Sequence, residues 1–435
     1  MITYQDLQAV TEDGRGAFLE AVVREHRASV QYRDALDAQQ YYRHRNPTIM
    51  RAQKMISNIF GDAVPDVYAA NNKIPCRYYH YFITQLTGTL LSCGADFGKP
   101  ETRARLGADF DLRLRELTVE ALNGGAAFGY FNHDRMQVFS LLEFAPLYDE
   151  ETGALCAGVR FWQISPEKPM RYTLYEPDGV TEYIHRPGEA LCVLRPKTPY
   201  LCTVTGTRAG GVESVSYAGY GRLPILPLYN TCRQSEIVGC REVIDAYDLM
   251  LSQLTNNVSD GSVIYWVLKN CGGMTEEEME EYVTRLARTH VSRAGDNEGA
   301  VAEPHSVEVP FEANAEALDR LRRELFDSFM ALDVSTITSG NTTATQIRAA
   351  YEPLWSKADL LEAQLDEFLA GLLSLLGIDD APKTFKRSSI VNQTEETAMI
   401  LSALPLIGEA EAVRRLPWLS PDECERILKE RNMKL

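Results

Sequence analysis

At 435 residues, 45% apolar and 24% charged, the chain has globular proportions and length enough for two or three domains with ample core. Its formal net charge of −17 argues against a protein that grips nucleic acid through a broad basic surface, because such affinity comes from Lys and Arg releasing counterions from phosphates. Nine scattered cysteines, odd in number and without C-x-x-C spacing, argue against a disulfide frame or a zinc cluster.

No apolar run approaches the roughly 18 residues that span a bilayer. The start, MITYQDLQAVTEDGRG, carries acidic residues and no basic-then-apolar leader. The expectation is a chain made and used in the cytoplasm.

Residues 3–60 read as helical, with Phe18, Val22, His26, Val30 and Ala35 near one face and Asn46-Pro47 as a stop. A second helix follows Pro75 and is capped near Gly94; a third covers about 101–123 and ends at Asn123-Gly124-Gly125. From Ala126 to Pro227 short β-rich runs alternate with turn clusters such as Asp178-Gly179, which predicts antiparallel hairpins.

Helical periodicity returns near Ser235. VIYWVLKN reads as a strand, and MTEEEMEEYVTRLARTH as a short helix with a Thr275/Glu278 capping box. VSRAG and HSVEVP read as two strands, and FEANAEALDRLRRELFDSFMALD as an amphipathic helix.

A small polar loop then runs into a helix of about 33 residues. Its apolar positions are Ile347, Tyr351, Leu354, Ala358, Leu361, Leu365, Phe368/Leu369, Leu372 and Leu376. Pro353 is expected to kink it, and Gly377 to cap it. FKRSSIV reads as one strand. The remaining chain reads as short helices broken by Pro405 and Pro417.

Catalytic signatures are missing. There is no G-x-x-x-x-G-K-[ST], H-E-x-x-H or G-x-S-x-G, and no histidine has a ligand partner at metal spacing. Gly219-Tyr220-Gly221 reads as a turn, and His133-Asp134 sits in a hairpin turn. The acidic run Glu276–Glu281 suits a solvated helix start, where carboxylates meet the helix dipole. The aromatic run Arg77–Phe82 could stack on single-stranded bases, but at helical spacing it reads as core. No enzyme activity, cofactor or metal is expected.

The order of segments is the specific feature. The runs NNKIPCRYYHYFITQLTGTLLSCG, FAPLYDEETGALCAGVRFWQ, EVIDAYDLMLSQLTNNVSD with VIYWVLKNCGG, TATQIRAAYEPLWSKADLLEAQLDEFLAGLLSLLG and FKRSSIVNQTEETAMILSALPLIG follow one another. In that order they resemble the portal (head–tail connector) proteins of tailed double-stranded DNA phages, of the type found in long-tailed phages of Gram-positive hosts.

The resemblance implies an α+β portal fold. Its parts would be a β-rich wing over 1–235, stem helices over 236–262 and 311–333, and a small α/β clip over 263–310. A tunnel loop would cover 334–344, a kinked tunnel helix and return to the wing 345–400, and a short helical crown 401–435. It further implies a homo-oligomeric ring, usually of twelve subunits, at one capsid vertex of the virion, assembled in the host cytoplasm. Double-stranded DNA would pass through without sequence-specific binding. Partners would be the large terminase subunit, a head–tail adaptor, and major capsid and scaffolding proteins, with no membrane. The alternative is a non-portal helical scaffold or adaptor of a virion.

Carried onto this chain, the tunnel loop presents Ser335, Thr336, Thr338, Ser339, Gly340, Asn341, Thr342 and Thr343, and Pro353 marks the helix kink. Asp245 and Asp248 supply an acidic stem face. Glu276, Glu277, Glu280, Arg285 and Arg288 supply clip docking. An acidic, hydroxyl-lined wall suits a channel, because it leaves DNA mobile where basic residues would hold it.

Overall fold

The computed structural model describes residues 2–57, 62–66, 69–132, 135–206, 213–259, 263–269, 301–307, 311–338, 344–378, 383–385, 387 and 393–416, with short pieces at 275, 277–278, 281–282, 424 and 426–429. His133-Asp134, VSRAG, Thr343 and nearly all of FKRSSIV lie outside them.

The N-terminal helical run is several helices. Arg15–Ala28 and Val30–Tyr42 are separated at Ser29, which is extended (ψ 154°) and accepts the Tyr32 amide on its hydroxyl. A serine in the middle of a predicted helix has become the N-cap of the next one. Asn46 likewise caps the short helix Pro47–Arg51.

The segment expected as one helix over 101–123 is two, Pro100–Leu106 and Phe110–Gly124, divided where Gly107 takes φ 91°. Gly125 ends the second at φ 78°, and a Cβ there would lie 2.7 Å from the Arg233 carbonyl oxygen.

The β-rich region holds a five-stranded antiparallel meander. Its strands are Phe144–Tyr148, Leu155–Trp162, Met170–Glu176, Gly179–His185 and Cys192–Thr198, each paired with the next. Its first hairpin turns on Asp149, whose carboxylate accepts the amides of Glu151 and Thr152. A three-stranded sheet pairs Ala126–Asn132 with Arg135–Ser140 on one side and with Ile225–Tyr229, far along the chain, on the other.

Leu19, Val22 and Val23 of the Arg15–Ala28 helix cover the meander. A ring cluster of Phe128, Phe139, Phe144 and Tyr175 joins the two sheets. The main core joins helices Tyr78–Leu91 and Phe110–Gly124 to the end of helix Phe311–Ser328 and the helix Ala344–Leu375. Four residues of the run Arg77–Phe82 are spent here: the Tyr78, Tyr81 and Phe82 rings meet Phe326, and Tyr79 meets Phe329.

Pro405 does not break its helix. Gln393–Ile407 runs through it and stops before Gly408, at φ 76°. The proline sits in the last turn, so only the Leu401 carbonyl loses its donor, and Leu401 is 58% exposed to solvent that can replace it.

Candidate functional site

The Ala344–Leu375 helix is 32 residues, about 48 Å at 1.5 Å per residue. Tyr351, Leu354, Ala358, Leu361, Leu365, Phe368, Leu369, Leu372 and Leu373 are buried, at the three- and four-residue spacing read from the sequence. They pack on the Tyr78–Leu91 helix and the Ile225–Tyr229 strand. Gly129 lets the helix come close, since a Cβ there would sit 2.7 Å from the Phe368 ring.

The assigned helix passes through Pro353 without a break. The proline is exposed, as is Ala349, whose carbonyl would have received its missing N–H. Water can therefore satisfy that carbonyl.

Polar ties fix this helix in place. Lys357 binds Glu236 and the Phe329 carbonyl (3.0 Å), with both charged side chains largely buried. Arg387 pairs with Asp359 and Glu362, and Arg105 donates to the Leu376 carbonyl at 2.7 Å. Glu352 and Glu367 remain on the exposed face, where Leu360 is 53% exposed.

The segment before it differs from expectation. The stretch expected as a loop over 334–344 begins with a helical turn, Val334–Thr338. Asp333 starts it by accepting the Ser335 amide (3.0 Å) and hydroxyl (2.7 Å) and the Arg322 guanidinium (2.8 Å). Burial pushes the Asp333 carboxyl up, but the Ser335 bonds and Arg322 outweigh it and hold the group below its ordinary value. Ser335, Thr336 and Thr338 fall in this turn. Ser339, Gly340, Asn341, Thr342 and Thr343 lie outside the described residues.

Two charged helices, Arg241–Ser259 and Phe311–Ser328, pack against each other. Strands Val263–Lys269 and Val301–Val307 pair antiparallel between them in sequence. The Thr275/Glu278 capping box is present: the Thr275 amide donates to Glu278 at 2.9 Å, and the Glu278 amide to the Thr275 hydroxyl at 3.3 Å. Glu277 is helical and exposed, while Glu276, Glu280, Arg285 and Arg288 lie outside the described residues.

Asp245 and Asp248 do not form an acidic outer face. Asp248 is 0% exposed, and its carboxylate accepts the Asn46 side-chain amide and the Cys76 backbone amide, both at 2.8 Å. Asp245 accepts the Tyr41 and Thr48 hydroxyls.

The cause is an extended strap, residues 70–76, laid along the helix. The Cys76, Ile74 and Asn72 amides donate to Asp248, Ser252 and Asn256. Two extended residues advance about 6.6 Å and four helical residues about 6 Å, so the two repeats stay in step. Sequence reasoning missed Ser252, Asn256 and Asn46. Their signal was polar residues at i, i+4 and i+8 on the helix beside a proline-stiffened strand-like run.

Residues 24–434 match the family described as phage portal protein, SPP1 Gp6-like. The chain belongs to this family. A portal protein of Clostridium phage phiCD119 is 26% identical over 214 residues, covering 46% of this chain and 46% of that protein. A portal protein of Bacillus phage SPP1 is 28% identical over 233 residues, covering 49% and 45%. The chain thus spans just under half the length of these portal relatives in those matches.

Among solved structures, the virion of a native gene transfer agent particle is similar at TM-score 0.40 and 11% identity, over 81% of this chain and 89% of that one. The neck of that particle, computed with C12 symmetry, is similar at TM-score 0.37 and 13% identity over the same shares.

Proposed function

We propose that this portal-family chain forms a closed ring, of about twelve copies, at one capsid vertex of a phage virion. Duplex DNA passes through its channel during packaging and ejection without being held. The observation that carries this reading is the family match across residues 24–434. The helix Ala344–Leu375 supports it, with one face packed on the chain's own core and the other left open for a neighbour.

In this reading residues 1–235 are the wing, helices Arg241–Ser259 and Phe311–Ser328 the stem, and 263–310 the clip that docks terminase and then an adaptor. The segment from Ser335 to Thr343 is the part nearest the DNA, and residues beyond 400 form a short crown. The chain acts by shape and weak repulsion and performs no chemistry.

Removing the chain from an infected cell is expected to leave heads without DNA and without tails. DNA-filled, infectious particles made in its absence would overturn the reading.

A further inference from the structure

Three helices end in the same hydrogen-bond pattern. At each, the amide of the first residue past the cap reaches back three residues and the next amide reaches back five. At Gly377 the bonds run to Ser374 and Leu373, at His44 to Tyr41 and Gln40, and at Met330 to Asp327 and Phe326. The pivotal residue takes a left-handed conformation: Gly377 at φ 67°, His44 at 60° and Met330 at 53°. Glycine is preferred there because a Cβ is penalised. His44 has packing to justify its side chain, since its ring lies 5.0 Å from His80. Met330 is 37% exposed and belongs to none of the buried clusters.

Charge around Met330 is also out of place. Asp327 lies in the last turn of the Phe311–Ser328 helix and Glu324 just before it, near the end where the dipole favours cations, and that last turn holds no base. The helix's arginines are already used: Arg320 on Glu316, Arg323 on Asp319 and Arg322 on Asp333. Met330 thus follows two exposed acids within six residues, and neither acid has an ion pair among the described residues; Glu324 accepts only the Ser328 hydroxyl.

A complementary surface lies across the Tyr78–Leu91 helix. Around Tyr42, His44 and His80 the arginines Arg43, Arg45 and Arg77 are exposed, and Glu120 is the acid that acts on Tyr42. His80 lies between the tilted rings of Tyr42 (4.5 Å) and His44 (5.0 Å), a half-buried ring ledge flanked by exposed Arg45 and Arg77. Tyr78 and Phe82 face Phe326, and His80 is about 200° around the helix from each, at 100° per residue. The acidic and basic patches therefore point to opposite sides of one protomer. A head-to-tail contact between identical chains requires that placement.

We propose that Met330, with Glu324 and Asp327, docks on the Tyr42–His80–His44 ledge, with Arg45 and Arg77, of a second copy of this chain. Sulfur–aromatic contact and two charge pairs would hold it. This deepens the ring reading and rests on it.

The test is assembly of the full chain followed by mass photometry, with thermal unfolding of each variant in parallel. Met330→Gly should leave the protomer at least as stable, since the strain is relieved, yet raise the concentration for half-assembly by about tenfold. E324K/D327K and R45E/R77E should each impair assembly, and the four changes together should restore it. The proposal falls if Met330→Gly and E324K/D327K assemble at the parent's concentration, or if the folded quadruple variant stays as dissociated as the doubles. It falls too if R45E/R77E assembles normally but releases duplex DNA, which would assign the basic ledge to phosphate. A parent chain that forms no oligomer would instead remove the ring reading itself.

Discussion

Asp248 is buried at a junction where three strap amides need acceptors. Replacing it with alanine would leave the part-buried Cys76 amide and the buried Asn46 side-chain amide without their acceptor. Asp248→Ala is expected to cost about 3 kcal/mol in denaturant unfolding, and Ser252→Ala, which strips one acceptor, about 1 kcal/mol.

Glu120 gives the pH dependence. Burial, with help from Glu116 and Glu143, pushes its carboxyl up to about 7. The unfolded chain releases that proton near the ordinary glutamate value, so the folded state holds it longer. The resulting stabilisation is complete below that ordinary value and is lost as pH rises through about 7. Unfolding temperature should fall between pH 5 and 8 by the equivalent of about 2 kcal/mol at this site, and Glu120→Gln should flatten that slope.

At the scale of elements, the long helix was legible because its buried face repeats every three or four residues over nine turns. The meander was legible because each hairpin carries its own turn chemistry. What was not legible depends on partners distant in sequence. Asp245 and Asp248 look like a solvated acidic face until the strap from residues 70–76 lies across them. Ser29 and Gly107 divide helices that periodicity alone runs together, and the turn Val334–Thr338 owes its start to Asp333 and Arg322.

Pro353 belongs to this scale as well. Proline in a helix interior is disfavoured by about 3 kcal/mol against alanine, although its exposed position here softens that. Pro353→Ala should raise protomer stability by roughly 1–2 kcal/mol. If Pro353 serves the ring, the same change should reduce DNA-filled particles; wild-type yields would show that the proline has no such role. Lysines at Thr338, Asn341 and Thr342 should leave assembly intact and slow packaging or ejection, because each adds a phosphate contact. Normal infectious particles from that triple variant would contradict a loop that works by not gripping.

For the whole molecule, charge and symmetry act together. Twelve copies at −17 would carry about −200. Salt screens that field beyond roughly 8–10 Å, so in the proposed ring it would act only where the wall approaches the duplex. The class of molecule was readable from the order of its segments, and the family match over residues 24–434 supports that reading. The interfaces were not readable, because one chain shows only half of each contact.

The most direct measurement is native mass and electron imaging of the purified full chain, with and without capsid scaffold. Closed rings of about 600 kDa with a central hole are predicted from twelve 48.8 kDa chains. A chain that stays monomeric at every concentration and salt, scaffold included, would contradict the account.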